Sequence, residues 1–306
     1  MNEPRQRVCD KLDLAIRDLQ GEGFRLDSIY PAEEPHTAHL TRGPEAVRLT
    51  TRPDQPPPPA ELPEFRPEFV LTRAGGAAGQ GRAGMYYRDL IPSRLGGRYI
   101  ASHITIPDGG PVEDWVHYHR VRFQLIAVRA GWVRVVYEDQ GDPFVMTSGD
   151  LVLQPPGIRH RVLESSPGLE VVEISCPALH ETFADHRLAL PNVRVAPERS
   201  FGGQRFVRYI ASEAEETGVG AATAGLVDAR MVQSSGEPSI DFPPHDGELV
   251  FGFVIHGSAL LEHSGRHELG PADAFVIPPG VPWTLGDLTD DFRLLRVTTA
   301  KIPGDA

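Results

Sequence analysis

The stretch that decides the fold reads Gly110-Pro-Val-Glu-Asp-Trp-Val-His117-Tyr-His119-Arg-Val-Arg-Phe-Gln124, then Gly131. Further on it resumes as Gly149-Asp-Leu-Val-Leu-Gln-Pro155-Pro-Gly157-Ile-Arg-His160-Arg-Val-Leu-Glu164. His117 and His119 are two apart, so on a strand they share one face and both imidazoles point the same way. The Pro-Pro-Gly turn at 155–157 reverses the chain and swings His160 onto a facing strand. Three imidazoles from two strands can then meet in one interior, a donor set that suits Fe, Mn, Ni, Cu or Zn.

Working outward, short β-branched and aromatic runs punctuated by Gly and Pro begin near Tyr86 and occur twice. Gly110 precedes His119 by nine positions as Gly236 precedes His245, and Gly131 follows His119 by twelve as Gly257 follows His245. Pro-Pro-Gly recurs at 278–280, and Arg88-Asp-Leu loosely matches Arg208-Tyr-Ile. Such a repeat fits two double-sheet jelly rolls in an all-β protein. The expected units are 1–70 (an N-terminal segment with a Pro-rich connector), 71–190 (a metal-binding barrel) and 191–306 (a second barrel without a metal site). In the second copy Pro243 is expected at the position of His117, Val250 at that of Gln124 and Trp283 at that of His160, leaving His245 alone. It reads as a structural or dimer-forming barrel, or else as a metal-free ligand pocket lined by Trp283 and His245.

Ahead of the repeat, the apolar residues Val8, Leu12, Ala15, Ile16 and Leu19 have helical spacing, stopped by Gly21 and Gly23. Phe24–Tyr30, His36–Thr41 and Ala46–Thr51 read as short strands, able to form a small β unit of their own. Pro53 to Pro67 holds seven prolines and reads as a stiff connector across a surface, continued by a flexible stretch from Gly75 to Gly84.

The formal charge of −12, with no Lys/Arg run, argues against nucleic acid as a partner. Cys9 and Cys176 lack metal-type spacing and are expected as reduced thiols, and no apolar run approaches a membrane span. The expected location is the cytoplasm.

The two quoted segments resemble the cupin superfamily, whose motifs are G-x5-H-x-H-x3,4-E-x6-G and G-x5-P-x-G-x2-H-x3-N. Gly149 to His160 fits the second motif without a gap. The departures are one extra residue between Gly110 and His117, Gln124 in place of glutamate and Glu164 in place of asparagine. The resemblance covers roughly 86–183 strongly and 206–300 weakly, a bicupin layout. It implies one divalent transition metal per chain, with Fe(II) the leading candidate, held by His117, His119 and His160. Gln124 either ligates through its amide oxygen or hydrogen-bonds a metal-bound water.

Three or four neutral ligands leave the metal its full charge, which favours a small anionic chelating substrate such as a phenolate, an enolate or a hydroxy or oxo acid. Strand alternation from Gln124 puts Arg122 on the inward side, either to meet substrate charge or to reach solvent. Counted from His160, Glu164 is inward too, as a base, as a support to a ligand, or as a simple bridge to an arginine. The resemblance implies a metal-dependent oxygenase, a dioxygenase using O2, similar to the gentisate- and diketone-cleaving cupins. A non-redox isomerase or lyase and a small-molecule sensor are the alternatives, and a homodimer is the expected assembly. The other histidines, His180 among them, are assigned ordinary hydrogen-bonded roles.

Overall fold

The computed structural model describes residues 4–55, 58, 61–81 and 84–302. The chain is all-β, built as two jelly-roll barrels, as the repeat implies. In the first, a seven-stranded sheet faces a ten-stranded one. The central strand Phe123–Ala130 shows why the sequence folds this way, because both of its faces are apolar. Ile126 and Val128 point into the barrel, against Val133, Val135, Val152 and Val171. Phe123, Leu125 and Ala127 point out into a second core shared by both barrels, against Phe251, Phe253 and Val297. Each fully buried Leu or Phe contributes about 1.5–3 kcal/mol, so this shared layer joins the barrels into one body.

The second barrel repeats the strand order with five- and four-stranded sheets. Two strands are exchanged between the copies. Val70–Thr72, which precedes the first barrel, pairs with Ala274–Ile277 of the second, and Val207–Tyr209 pairs with Leu151–Gln154 of the first. Both exchanged strands lie near the borders that the sequence suggests, at 71 and 191, so sheet membership does not follow those borders. The exchange also separates the Arg88 and Arg208 segments, since Tyr86–Asp89 pairs instead with Ile100–Ile106. A buried ion pair clasps the barrels: Arg98 donates to both oxygens of Glu248 at 2.9 Å, and Tyr99 Oη donates to the same carboxylate at 2.8 Å. Removing one partner of such a pair costs about 3–5 kcal/mol.

The N-terminal segment does not stand alone. Its strands Arg25–Tyr30, Thr37–Arg42 and Glu45–Thr50 extend the ten-stranded sheet through Thr182–Ala184. The helix is Leu12–Gly21, burying Leu12, Ala15 and Leu19 against Leu26, Leu40 and Leu49. Val8, expected in the helix, instead ends the strand Arg5–Val8, which pairs in parallel with Glu45–Thr50. In the connector, Pro56, Pro57 and Pro59 lie outside the described residues. Leu62 and Phe65 pack on the shared core, so this part is anchored there. Of the stretch expected to be flexible, Gly79–Gln80 forms a short strand against Tyr86–Asp89, while Arg82 and Ala83 lie outside the described residues.

Candidate metal centre

The strand His117–His119 runs between two partners. His117 stands opposite His160 on one side, and His119 stands opposite Thr182 on the other. Period-two alternation thus brings all three imidazoles inside the first barrel, where each is buried. Their ring centroids lie 4.2 to 5.2 Å apart, and one ligand atom from each lies within 4.8 Å of the others. Among the described residues this is the one group of His, Cys, Asp or Glu side chains close enough to share an ion.

The framework fixes which nitrogen each ring presents. Nδ1 of His117 lies 2.8 Å from the Trp115 carbonyl, Nδ1 of His160 lies 3.1 Å from the Ile158 carbonyl, and Nδ1 of His119 lies 3.0 Å from Thr182 Oγ1. Asp114 Oδ1 adds an acceptor 3.4 Å from His117 Nδ1. A carbonyl only accepts, so Nδ1 of His117 and of His160 carries the proton and Nε2 is the nitrogen a metal would take.

Gln124 completes the arrangement. It is buried, and its Nε2 donates to Glu173 Oε1 at 2.6 Å. A carboxylate oxygen accepts only from the NH₂ end, so the amide cannot be flipped, and Oε1 is left buried with no hydrogen-bond partner. An orphaned amide oxygen costs stability unless something meets it. Three oriented imidazoles and this oxygen fit a divalent metal.

Glu164 is a correction. The strand Trp132–Tyr137 pairs Arg134 with Glu164 but Val135 with Val162, so a bulge inserts one residue here. Val162 and Val133 face the core, and buried Ser165 lies opposite Val133. The inserted residue reverses the alternation, so Glu164 sits on the outer surface, bridged to Arg134 at 3.2 Å. Arg122 lies one residue ahead of its strand and is half-buried; its N–H donates to the Cys176 carbonyl at 2.6 Å and its carbonyl accepts from Gln204 Nε2 at 2.5 Å. Both cysteines are free, and burial pushes the Cys176 thiol up to about 12.

Five further residues around the site do not stand out by spacing. Tyr137 stacks on His160 with centroids 5.5 Å apart, and its hydroxyl accepts from Gln154 Nε2 at 2.7 Å. Gln154 stands directly opposite Gln124, and its Oε1 is likewise buried without a partner. Glu173 orients Gln124, and the nearby Glu33 carboxyl is raised to about 8, first by burial and then by the Glu173 charge. His180 meets His119 edge-on at 5.4 Å, and burial lowers it to about 4, so it is neutral at neutral pH. Only Gln154 left a signal: it directly precedes the Pro155 turn on an inward-facing register.

In the second barrel Trp283 stands where His160 stands in the first. Its cross-strand partner is Phe242, where Pro243 was expected, because one extra residue separates this position from His245. Phe242 and Trp283 stack at 3.8 Å, Val250 occupies the register of Gln124, and His245 Nε2 donates to the Ile277 carbonyl at 3.0 Å.

No family model and no curated protein matches this sequence. Among solved structures, the chain is similar to protein YlbA from E. coli, of family-model DUF861. The TM-score is 0.56 at 12% identity, covering 80% of this chain and 96% of that one. It is also similar to a mutant of Bacillus subtilis oxalate decarboxylase OxdC, with a TM-score of 0.50 at 12% identity, covering 78% and 79%. At that identity the likeness speaks for the fold, and it agrees with the two jelly-roll barrels described above.

Proposed function

We propose that this two-barrel cupin is a metal-dependent enzyme whose first barrel turns over a small anionic chelating substrate, and that the reaction is an oxygenase reaction using O2. The observation that carries the reading is the donor set: three imidazoles with Nδ1 held by the framework, and an amide oxygen aimed away from Glu173 with no other partner. All four donors are neutral, so a divalent metal bound there, with Fe(II) the leading candidate, supplies an undiminished Lewis acid and a centre for O2 chemistry.

The chain's own residues do the rest. Trp115, Ile158 and Thr182 hold the imidazoles in orientation, and Glu173 holds Gln124. The Gln154 amide oxygen and the Tyr137 hydroxyl offer polar contacts beside His160, and the valine-lined barrel below them keeps water out. Arg122, near the strand end, is the candidate to meet substrate charge.

A non-redox isomerase or lyase is the second reading. Glu33 favours it, because this carboxyl near Glu173 keeps a proton at neutral pH that such chemistry could move.

Metal analysis of protein purified without a chelating tag, followed by oxygen-electrode measurements with phenolic, diketone and hydroxy-acid substrates, tests both. One divalent ion per chain and metal-dependent O2 uptake are expected. Turnover that is unchanged without O2 would replace the oxygenase reading with the second, and a metal-free protein would end both.

A further inference from the structure

The second barrel carries a different kind of site. A cavity of about 380 Å³ opens at the end of the barrel where the first copy gathers its histidines, lined by Phe242, His245, Trp283, Asp228, Arg296 and Thr298. Arg296 lies on Arg293–Thr299. Its neighbours Leu295 and Val297 face the core shared by the barrels, whereas Leu294, two residues before it, faces the interior of the second barrel. Alternation therefore turns Arg296 inward, with its guanidinium 5.1 Å from the centroid of Phe242.

No carboxylate among the described residues forms an ion pair with it, although the charge of Asp228 acts on it from nearby. The Arg296 side chain makes no ion pair or hydrogen bond with the described residues, and its Nε is buried without a partner. The acid beside it, Asp228, is bound at 2.9 Å by Arg230, which stands directly opposite Arg296, and Asp246 is exposed at the rim. His245 donates from Nε2 to the Ile277 carbonyl, so its buried, unpartnered Nδ1 is an acceptor and leaves Arg296 as the group that would meet an anion. Burial lowers the pKa of Arg296, yet a guanidinium stays charged in proteins. A half-buried, unpaired cation costs stability, which is characteristic of a position kept for a ligand.

The register sharpens this. Gly252 pairs with Arg296 as Ile126 pairs with Glu173, so Arg296 stands where the first copy has the carboxylate that orients Gln124. The second copy has lost the metal ligands and has gained a fixed positive charge at the same end of the barrel.

We propose that the second barrel binds a small organic carboxylate without a metal, the carboxylate lying on the guanidinium of Arg296 and an apolar, flat body lying against Phe242 and Trp283. One guanidinium beside an aromatic wall suits a monocarboxylate better than a phosphate, whose additional charge would find no second cation unless Arg230 left Asp228.

Calorimetric titration with benzoate tests it. Wild type and His160→Ala are expected to bind benzoate alike, while Arg296→Gln weakens binding at least tenfold and Arg296→Lys, which keeps the charge and loses the fork, weakens it less. Neutral benzamide is expected to bind at least tenfold more weakly than benzoate. In melting experiments benzoate should raise the midpoint of wild type and not that of Arg296→Gln, whose ligand-free midpoint should itself be higher, because removing an unpaired cation relieves its desolvation. No benzoate binding by wild type would overturn the proposal, as would equal binding by a folded Arg296→Gln. Binding lost in a folded His160→Ala would also overturn it, by moving the ligand to the first barrel.

Discussion

The two barrels share one backbone plan and fill it with opposite chemistry. Where strand pairing makes positions equivalent, the first barrel has His160, Gln124, Gln154 and Glu173, and the second has Trp283, Val250, Ile277 and Arg296. Below these positions, Val152 and Ile126 of the first barrel become Phe275 and Gly252. A Cβ on Gly252 would lie 2.3 Å from Phe275 Cζ, so the glycine is what admits the ring. The difference teaches that a metal site needs more than ligands. It needs polar residues around the ligands that orient them, and replacing both together turns an ion-binding interior into an aromatic one.

The largest expected effect that could break this comparison is all-or-none. His160→Ala should reduce metal from one ion per chain to none by elemental analysis, whereas Trp283→Ala and His245→Ala should leave it unchanged. Full occupancy in His160→Ala, or loss from a folded Trp283→Ala, would show that the two interiors are not divided as described. Next in size, Phe275→Ala should cost about 3–5 kcal/mol in denaturant unfolding, because it empties an aromatic-filled core. Val152→Ala at the equivalent position removes less volume and should cost less.

Acid should distinguish the polar interior. His180 is held near 4 against an ordinary 6.5, so it stays neutral in the fold while the unfolded chain takes up a proton. Stability should therefore be full above about pH 6.5 and fall towards pH 4, with His180 contributing about 3 kcal/mol of the loss. His180→Gln should flatten that part of the profile. Making both measurements in a His160→Ala background removes the contribution of metal release, and an unchanged slope would mean that His180 is not buried as a neutral group.

The smallest expected effect concerns charge beside the metal. Gln124→Glu should keep the ion but raise the Michaelis constant for an anionic substrate by about tenfold or more. Two charges about 4 Å apart interact by roughly 4 kcal/mol at an effective dielectric near 20, before screening and relaxation. Because Glu173 would lose its amide donor, the exchange variant Gln124→Glu/Glu173→Gln is the cleaner form, with carboxylate and amide simply trading places. Unchanged substrate affinity in the exchange variant would mean that the substrate does not bind there as an anion.

Much of the candidate site is legible in the spacing. His117 and His119 share a face because alternation is a property of any strand, and a Pro-Pro-Gly turn before His160 brings a following strand back against them. The same count failed at Glu164, where the bulge opposite Arg134 reverses alternation within four residues of a correctly placed histidine. It failed again at Pro243, where one extra residue moves Phe242 into the cross-strand position facing Trp283. Both errors are single-residue shifts, and in a period-two element a single residue changes the face.

What the sequence by itself determined, then, is whatever depends on neighbours along the chain: the all-β class, the duplication, and the three histidines with Gln124 beside them. Tertiary structure alone decided which strands the two barrels exchange and that Glu173 turns the Gln124 oxygen away from itself. It also decided that His180 is buried neutral beside His119, and that Arg296 faces a cavity with Asp228 already taken. Each of these depends on a contact between residues distant in sequence or on exclusion from water. Both arise only when sheets close on one another, because hydrogen-bond partners and local dielectric are properties of the packed interior and not of any one strand.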